Sequence, residues 1–325
     1  AEGWTRRWGA AALGILGVTV LSTTFVQKLV LTAYADSATA VVLAVMGVLG
    51  FQALERLREA GEGTGGPRGL AWQFGWCGAL LLSLKQANLV LFVFLLGAMA
   101  LLALRDPAIR LKGFFRLAPG LLLVPLLTYG VWRYHVTGEI IGGDMRIAGP
   151  EHWLIAEAFQ VLARMALIAS KKGAYFAMMG GLSVLAIIGI WRFRGAFDRA
   201  AVLVGAVFVG FNLFLWFIYV FAMGSYNGLH AVSYWRFNTQ LGLLGCTMAG
   251  FGLAILWRRH VGPRLGGRPA VARTLSILAV ALVLAIQPLG AGKLRFDLRP
   301  QKDHFREVGR AMAEMLPTGA RVAVL

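Results

Sequence analysis

Three charged side chains could do chemistry because each lies beside a long apolar run: Asp36, Lys85 and Arg236. An acid at the centre of a membrane helix costs about 2.5–3.5 kcal/mol, so Asp36 belongs at the interface. There it either caps a helix or takes part in catalysis by orienting an acceptor, supporting a base or binding a metal. Lys85 is either a lysine that reaches the interface or a compact charge facing a phosphate.

Arg236 carries a planar guanidinium, which binds two phosphate oxygens at once and is the preferred phosphate contact. Neither Lys85 nor Arg236 has an acidic neighbour close in sequence, so the sequence predicts two unpaired cations that meet one phosphate. Seven further polar residues are candidates for an acceptor or substrate cleft: Tyr34, Gln86, Glu139, Asp144, His230, Tyr234 and Asn238. His230 could equally be an ordinary hydrogen-bonded surface residue.

Other motifs for catalysis or cofactor binding are missing from the sequence. It has no P-loop, no Gly-rich dinucleotide fingerprint, no His-Glu-x-x-His and no paired Cys motif. No cofactor is indicated with certainty, and a divalent cation is retained as a possible one. Cys77 and Cys246 lie within apolar segments and indicate neither a disulfide nor a metal site.

The elements that must position these residues are membrane helices. The 325 residues are 58% hydrophobic and 14% charged, with a mean hydropathy of +0.69, which is typical of an all-α polytopic membrane protein. The 32 Lys and Arg residues outnumber the 15 Asp and Glu residues. They cluster between apolar runs, which is the pattern of topology signals and does not favour nucleic acid as a partner.

Nine spans are predicted, at about 9–31, 36–54, 70–84, 87–104, 115–133, 173–191, 200–222, 236–257 and 274–290. Four loops between the spans are rich in Arg and Lys, and they include Arg58, Arg116, Arg199 and Arg258. They alternate along the chain with loops that contain fewer basic residues, so the basic loops are predicted to be cytoplasmic. Asp36, Lys85, the 134–172 loop, the 224–236 loop and the tail then share the outer compartment. Trp153–Ala169 is predicted to be an amphipathic helix at the membrane surface. Residues 1–291 form the transmembrane domain, and 292–325 begin an outer soluble α/β domain.

The sequence resembles the GT-C glycosyltransferases, in the bacterial branch akin to protein O-mannosyltransferases and the aminoarabinose transferases of lipid A. Four stretches carry the resemblance: Tyr34-Ala-Asp36 opening a return span, Leu84-Lys85-Gln86 in a hairpin, Ser233-Tyr-Trp-Arg236-Phe-Asn, and the C-terminal run 305–324. In that family a principal aspartate lies in the first large outer loop. Here only a turn at about 32–35 joins the first two spans, so we expect the family's first two spans and that loop to lie upstream of Ala1.

The resemblance implies an inverting enzyme of the bacterial inner membrane with its active site on the periplasmic side. The donor would be a polyprenyl-phosphate-linked sugar and the acceptor a lipid, a glycan or a protein, with membrane lipids around the helices. Lys85 and Arg236 would bind the donor phosphate, and Asp36 would be a catalytic residue that orients the acceptor, supports the base or binds a metal. Two alternatives are a lipid-linked-sugar flippase or transporter, and a polysaccharide polymerase or ligase. The near absence of charges within the spans weakens the first.

Overall fold

The computed structural model of the protein describes residues 35–60, 66–139, 149–191, 193 and 195–256, short pieces between 259 and 281, and residues 300–315. Every regular element in these ranges is a helix, which confirms the predicted all-α class. Helices form because long apolar segments must satisfy their own backbone hydrogen bonds where water is absent. The predicted first span, most of the predicted span 274–290, and residues 316–325 at the end of the predicted outer domain lie outside the described residues.

Thirteen α-helices and two 3₁₀ turns follow one another along the described ranges. They are α1 (Asp36–Ala60), α2 (Gly66–Leu84), a 3₁₀ turn (Gln86–Asn88), α3 (Leu89–Arg105), α4 (Leu111–Phe115), α5 (Ala118–Glu139), a second 3₁₀ turn (Pro150–His152), α6 (Ala158–Lys171), α7 (Gly173–Trp191), α8 (Ala196–Phe221), α9 (Gly224–Leu229), α10 (Tyr234–Thr239), α11 (Gly242–Leu256), α12 (Gly262–Leu265) and α13 (Pro300–Met315).

Four helical stretches in the described part are long and apolar enough to cross a membrane: Asp36–Glu59, Gln86–Arg105, Leu111–Gly138 and Ala196–Phe221. A fifth is obtained if α6 and α7 count as one span, although they bend by 112° at their junction. Membrane association of the chain is therefore supported by four to five helices in the described ranges, and the full set of nine predicted spans is not shown there. α2 and α11 are helical where spans were predicted, and α11 is an apolar helix of shorter length.

Two predicted boundaries are wrong. The predicted span 236–257 is divided into α10 and α11 by a turn at Gln240 and Leu241, because Gln240 turns towards the buried carboxylate of Asp36. The predicted amphipathic helix begins at Ala158 instead of Trp153. Trp153 packs edge-on against Phe221. This contact holds the residues just before α6 against the end of α8.

The helices pack closely where glycine removes the side chain. α1 contacts α2 and α11, α2 contacts α5, and α8 contacts α7 and α3. A Cβ atom on Gly75 of α2 would overlap the carbonyl oxygen of Gly120 in α5, and one on Gly78 would lie 2.9 Å from Pro125. Small residues of this kind let two helix backbones approach in a membrane, so α2 and α5 form a tight pair.

The order of the helices gives the bundle two chemically different ends. We call the end that holds Asp36, Lys85 and the α9–α10 segment the Asp36 end. The other, where α1 finishes and α8 begins, is the Arg199 end. Asp36, Lys85 and Arg236, which the basic-loop pattern assigned to one compartment, are thus brought to one end of the bundle.

Candidate anion-binding site around Asp36

Asp36 is the first residue of α1, and its carboxylate is buried, with 2% of the residue exposed. Gln240 donates a hydrogen bond from Nε2 to Oδ1 of Asp36 at 2.6 Å. Arg236 Nε lies 3.3 Å from Oδ2, and Lys85 Nζ lies 4.0 Å from Oδ1. These four residues, which we call the Asp36 cluster, come from three separate segments of the chain.

Lys85 is positioned by a break between two helices. It has an extended backbone (φ −165°, ψ 126°) between the end of α2 and the 3₁₀ turn that precedes α3. The buried side chain of Asn88 donates from Nδ2 to Thr39 Oγ1 and to the carbonyl of Leu81, both at 2.9 Å. Because Thr39 lies one turn after Asp36, this amide fixes the hairpin against the start of α1.

Arg236 and Gln240 reach the same carboxylate because they are four residues apart, a spacing that places side chains on one face of a helical turn. The segment before them is strained. Ala231 (φ 45°) and Ser233 (φ 65°) both have positive φ angles, a region that residues other than glycine occupy at a cost of about 1–3 kcal/mol. The Tyr219 hydroxyl donates to the carbonyl of Val232 at 2.8 Å and so holds this turn in place.

The charges of the cluster do not cancel. One carboxylate faces two cations, and the side chains of Lys85 and Arg236 are 34% and 30% exposed while that of Asp36 is 2% exposed. Both cations also lie over the ring of Phe237, with Lys85 Nζ at 5.7 Å and Arg236 Cζ at 5.4 Å from its centroid, a favourable arrangement for a positive charge. Among these three residues the positive charge exceeds the negative charge, which suits an anion.

A closed hydrogen-bond network lies behind Arg236. The Tyr234 hydroxyl donates to Asn212 Oδ1 at 2.7 Å, and the Asn212 and Asn238 amides bond each other at 3.1 Å. Tyr234 lies outside the four candidate spans. Burial raises its pKa to about 12, so the hydroxyl keeps its proton at neutral pH. The Tyr175 hydroxyl donates to the carbonyl of Asn238 at 2.8 Å. Tyr234 and Asn238 thus support α10 from within the protein.

The other predicted cleft residues are spread out. Gln86 is half-buried in the 3₁₀ turn beside Lys85. His230 is exposed; its Nδ1 lies 2.9 Å from the Tyr226 carbonyl, and its ring lies against that of Tyr226, within the same short segment. Glu139 is the last residue of α5. Tyr34 and Asp144 lie outside the described residues.

The prediction that Lys85 and Arg236 are unpaired is wrong, because Asp36 faces both of them. The sequence concealed the pairing, since the acid is distant from both cations along the chain. Sequence reasoning also missed Gln240 and Asn212. Signals existed for both: Gln240 repeats Arg236 at four-residue spacing, and Asn212 is an isolated amide within an apolar helix, where a polar side chain is costly unless partnered.

A second cluster of charged residues lies at the Arg199 end. The sequence pattern placed Arg199 in an exposed cytoplasmic loop, and that prediction is wrong. Arg199 is 4% exposed and donates to both carboxylate oxygens of Glu55, at 2.5 and 2.7 Å. Asp106 Oδ2 lies 3.8 Å from Arg199 Nε and 3.5 Å from Arg58 Nε. These ion pairs join the end of α1 and the residue that follows α3 to the start of α8.

Comparison of the chain with protein-family models, with curated proteins and with solved structures finds no match.

A metal ion does not fit that cluster well. No group of three or more His, Cys, Asp or Glu side chains that could hold a metal occurs in the part of the chain that the structure describes. Two cations already lie beside Asp36, and they would repel a third positive charge. The arrangement favours binding of an anionic group such as a phosphate.

Proposed function

We propose that the protein is an integral-membrane glycosyltransferase that takes a sugar from a polyprenyl-phosphate-linked donor. In this proposal the Asp36 cluster binds the donor phosphate, on the outer side of a bacterial inner membrane. The observation that carries it is the convergence of Lys85 and Arg236 on one buried carboxylate, each with about a third of its side chain exposed. The sugar-transfer step rests on the resemblance to GT-C enzymes.

The two cations take different parts. Arg236 directs Nε towards Asp36, and a guanidinium binds phosphate oxygens in a paired geometry that an ammonium cannot supply. Lys85 lies 4.0 Å from Asp36, beyond hydrogen-bond distance, so its ammonium can turn to an incoming phosphate. Asp36 acts as a positioning residue that holds both charges in place before the donor binds.

The proposed reaction places negative charge where these cations lie. A carboxylate base removes the proton of the acceptor hydroxyl, and the oxygen attacks the anomeric carbon. The bond from that carbon to the phosphate oxygen breaks, and the polyprenyl phosphate leaves with its bonding electrons. Attack from the opposite face inverts the configuration. Fixed cations beside the leaving phosphate stabilise this charge, which is usually a large part of such catalysis. The oxygens of Asp36 already contact Gln240 and the two cations, so another carboxylate is required as base.

One experiment separates this function from its alternatives. The full chain is reconstituted in vesicles with a fluorescent polyprenyl-phosphate sugar and a hydroxyl acceptor. The proposal expects saturable binding of polyprenyl phosphate and formation of the glycosylated acceptor. Movement of the donor between leaflets without product would support a flippase, and repeated sugar addition would support a polymerase. Absence of polyprenyl-phosphate binding would reject the phosphate site itself.

A further inference from the structure

A basic groove of about 350 Å³ lies at the Arg199 end of the bundle, away from the Asp36 cluster. It is formed by the beginnings of α2 and α5, and its lining includes Arg68, Trp72, Arg116 and Pro119. Gly120, which also lines the groove, is the residue at which α5 approaches Gly75 of α2. No part of the proposed glycosyl transfer uses this groove.

The charge of the groove suits a phosphate group. Arg68 and Arg116 are both exposed, and neither forms an ion pair with an acid in the described ranges. α2 begins at Gly66 and α5 at Ala118, so both helices place their positively polarised N-terminal ends at this groove. Two guanidiniums and two helix ends give a concentrated positive potential within one concave surface.

Apolar side chains continue from the groove along both helices. On α2, exposed residues follow at four-residue intervals: Trp72, Trp76 and Leu80, of which Trp76 is 64% exposed. On α5 the same spacing from Pro119 gives Leu123, Leu127 and Val131, which are also exposed. Residues four apart share one face of a helix. Each helix therefore joins a cationic end to an exposed apolar stripe.

We infer that the α2–α5 groove binds an anionic phospholipid, whose phosphodiester meets Arg68 and Arg116 while its acyl chains lie along the two apolar stripes. A basic pocket between membrane helices with aromatic side chains at its edge has the chemistry expected for such a head group. A soluble phosphate would contact only the cationic part of the groove, whereas a phospholipid would contact both the arginines and the adjoining apolar side chains. This site is independent of the polyprenyl-phosphate site proposed above.

The test uses the full chain in nanodiscs of phosphatidylcholine, into which phosphatidylglycerol is titrated. Bound lipid is counted by native mass spectrometry after release from the disc. Phosphatidylglycerol should be retained in preference to phosphatidylcholine. The double substitution Arg68→Gln and Arg116→Gln should raise its apparent dissociation constant by roughly 10- to 30-fold, since basic residues near an anionic lipid each contribute substantially.

A matched control has the same change of charge elsewhere. Arg56→Gln combined with Arg264→Gln removes two exposed arginines that do not line the groove, and it should leave lipid retention unchanged. An equal loss in this control would mean general surface attraction and would overturn the site. Competition by glycerophosphoglycerol or inorganic phosphate at the same concentrations as the lipid would identify a soluble phosphate as ligand and overturn the lipid proposal. Circular dichroism of each variant checks that the helices are retained.

Discussion

Replacing Arg236 by lysine tests whether geometry as well as charge is needed in the Asp36 cluster. Arg236 Nε faces Asp36 Oδ2 at 3.3 Å, and the planar guanidinium is suited to hold two phosphate oxygens at once. A lysine has one nitrogen on a flexible stem, so it cannot meet the carboxylate and hold two phosphate oxygens together. The variant keeps the net charge and loses the paired hydrogen bonds.

The expected loss follows from those bonds. A hydrogen bond to a charged group is worth about 1.5–3 kcal/mol, so Arg236→Lys should raise the dissociation constant for polyprenyl phosphate by roughly 10- to 150-fold. Lys85→Arg should have a smaller effect, because the ammonium 4.0 Å from Asp36 contributes charge without fixed geometry. Alanine at both positions should cost less than the sum of the single losses, because the two residues share one ligand.

The assay is calorimetric titration of the full chain in nanodiscs with polyprenyl phosphate. Arg164→Lys is the matched control, since Arg164 is an exposed arginine of α6 outside the cluster. Its affinity should equal that of the unmodified protein. Unchanged affinity in Arg236→Lys, an equal loss in Arg164→Lys, or strictly additive losses in the double alanine variant would refute the reasoning.

Three further predictions concern the acid, the second cluster and the topology. Asp36→Asn should cut sugar transfer by roughly 100-fold at unchanged expression. Asparagine caps a helix about as well as aspartate does, but it carries no charge to pair with the two cations. Near-normal turnover would contradict the assigned role. Arg199→Gln should lower the free energy of unfolding by about 3–5 kcal/mol, because Glu55 loses its two hydrogen bonds and the buried Asp106 loses one of its two arginines. Thermal unfolding in detergent would measure this loss, and an unchanged melting temperature would count against it. In a background without native cysteines, Asn227→Cys should react with an impermeant reagent added outside cells and Lys112→Cys should not; the reverse labelling would invert the proposed orientation.

The sequence was most informative about which residues share an end of the bundle. Alternation of basic loops grouped Asp36, Lys85 and Arg236, because loop charge and helix length together decide where each span finishes. It was less informative about continuity within a helix. The turn after Thr239 interrupts an apolar pattern, because the contact between Gln240 and a distant acid outweighs the local preference for a continuous helix.

Contacts between distant segments were the part that could not be predicted. The apolar segments and the basic residues between them can be read from the local sequence. The pairing of Asp36 with Arg236 depends instead on how helices distant in sequence pack together. Arg199 illustrates the same limit. It follows other arginines in a stretch with the composition of a cytoplasmic loop, yet α8 begins three residues earlier and carries it into contact with Glu55. Burial of a charge by a distant partner has no signature in the local sequence.

The wide sequence separation within the Asp36 cluster has a consequence for biosynthesis. A membrane chain is inserted from its N-terminal side, so the start of α1 reaches the bilayer long before α10 has been translated. During that interval the carboxylate of Asp36 can pair only with Lys85 among the residues of the cluster, and this contact is the longest of them, at 4.0 Å. When α10 packs against α1, Arg236 comes to face Oδ2 of Asp36 and Gln240 donates a hydrogen bond to Oδ1. Enclosure of Asp36 therefore waits for α10, and chains interrupted before Tyr234 would keep an incompletely paired acid at the membrane surface.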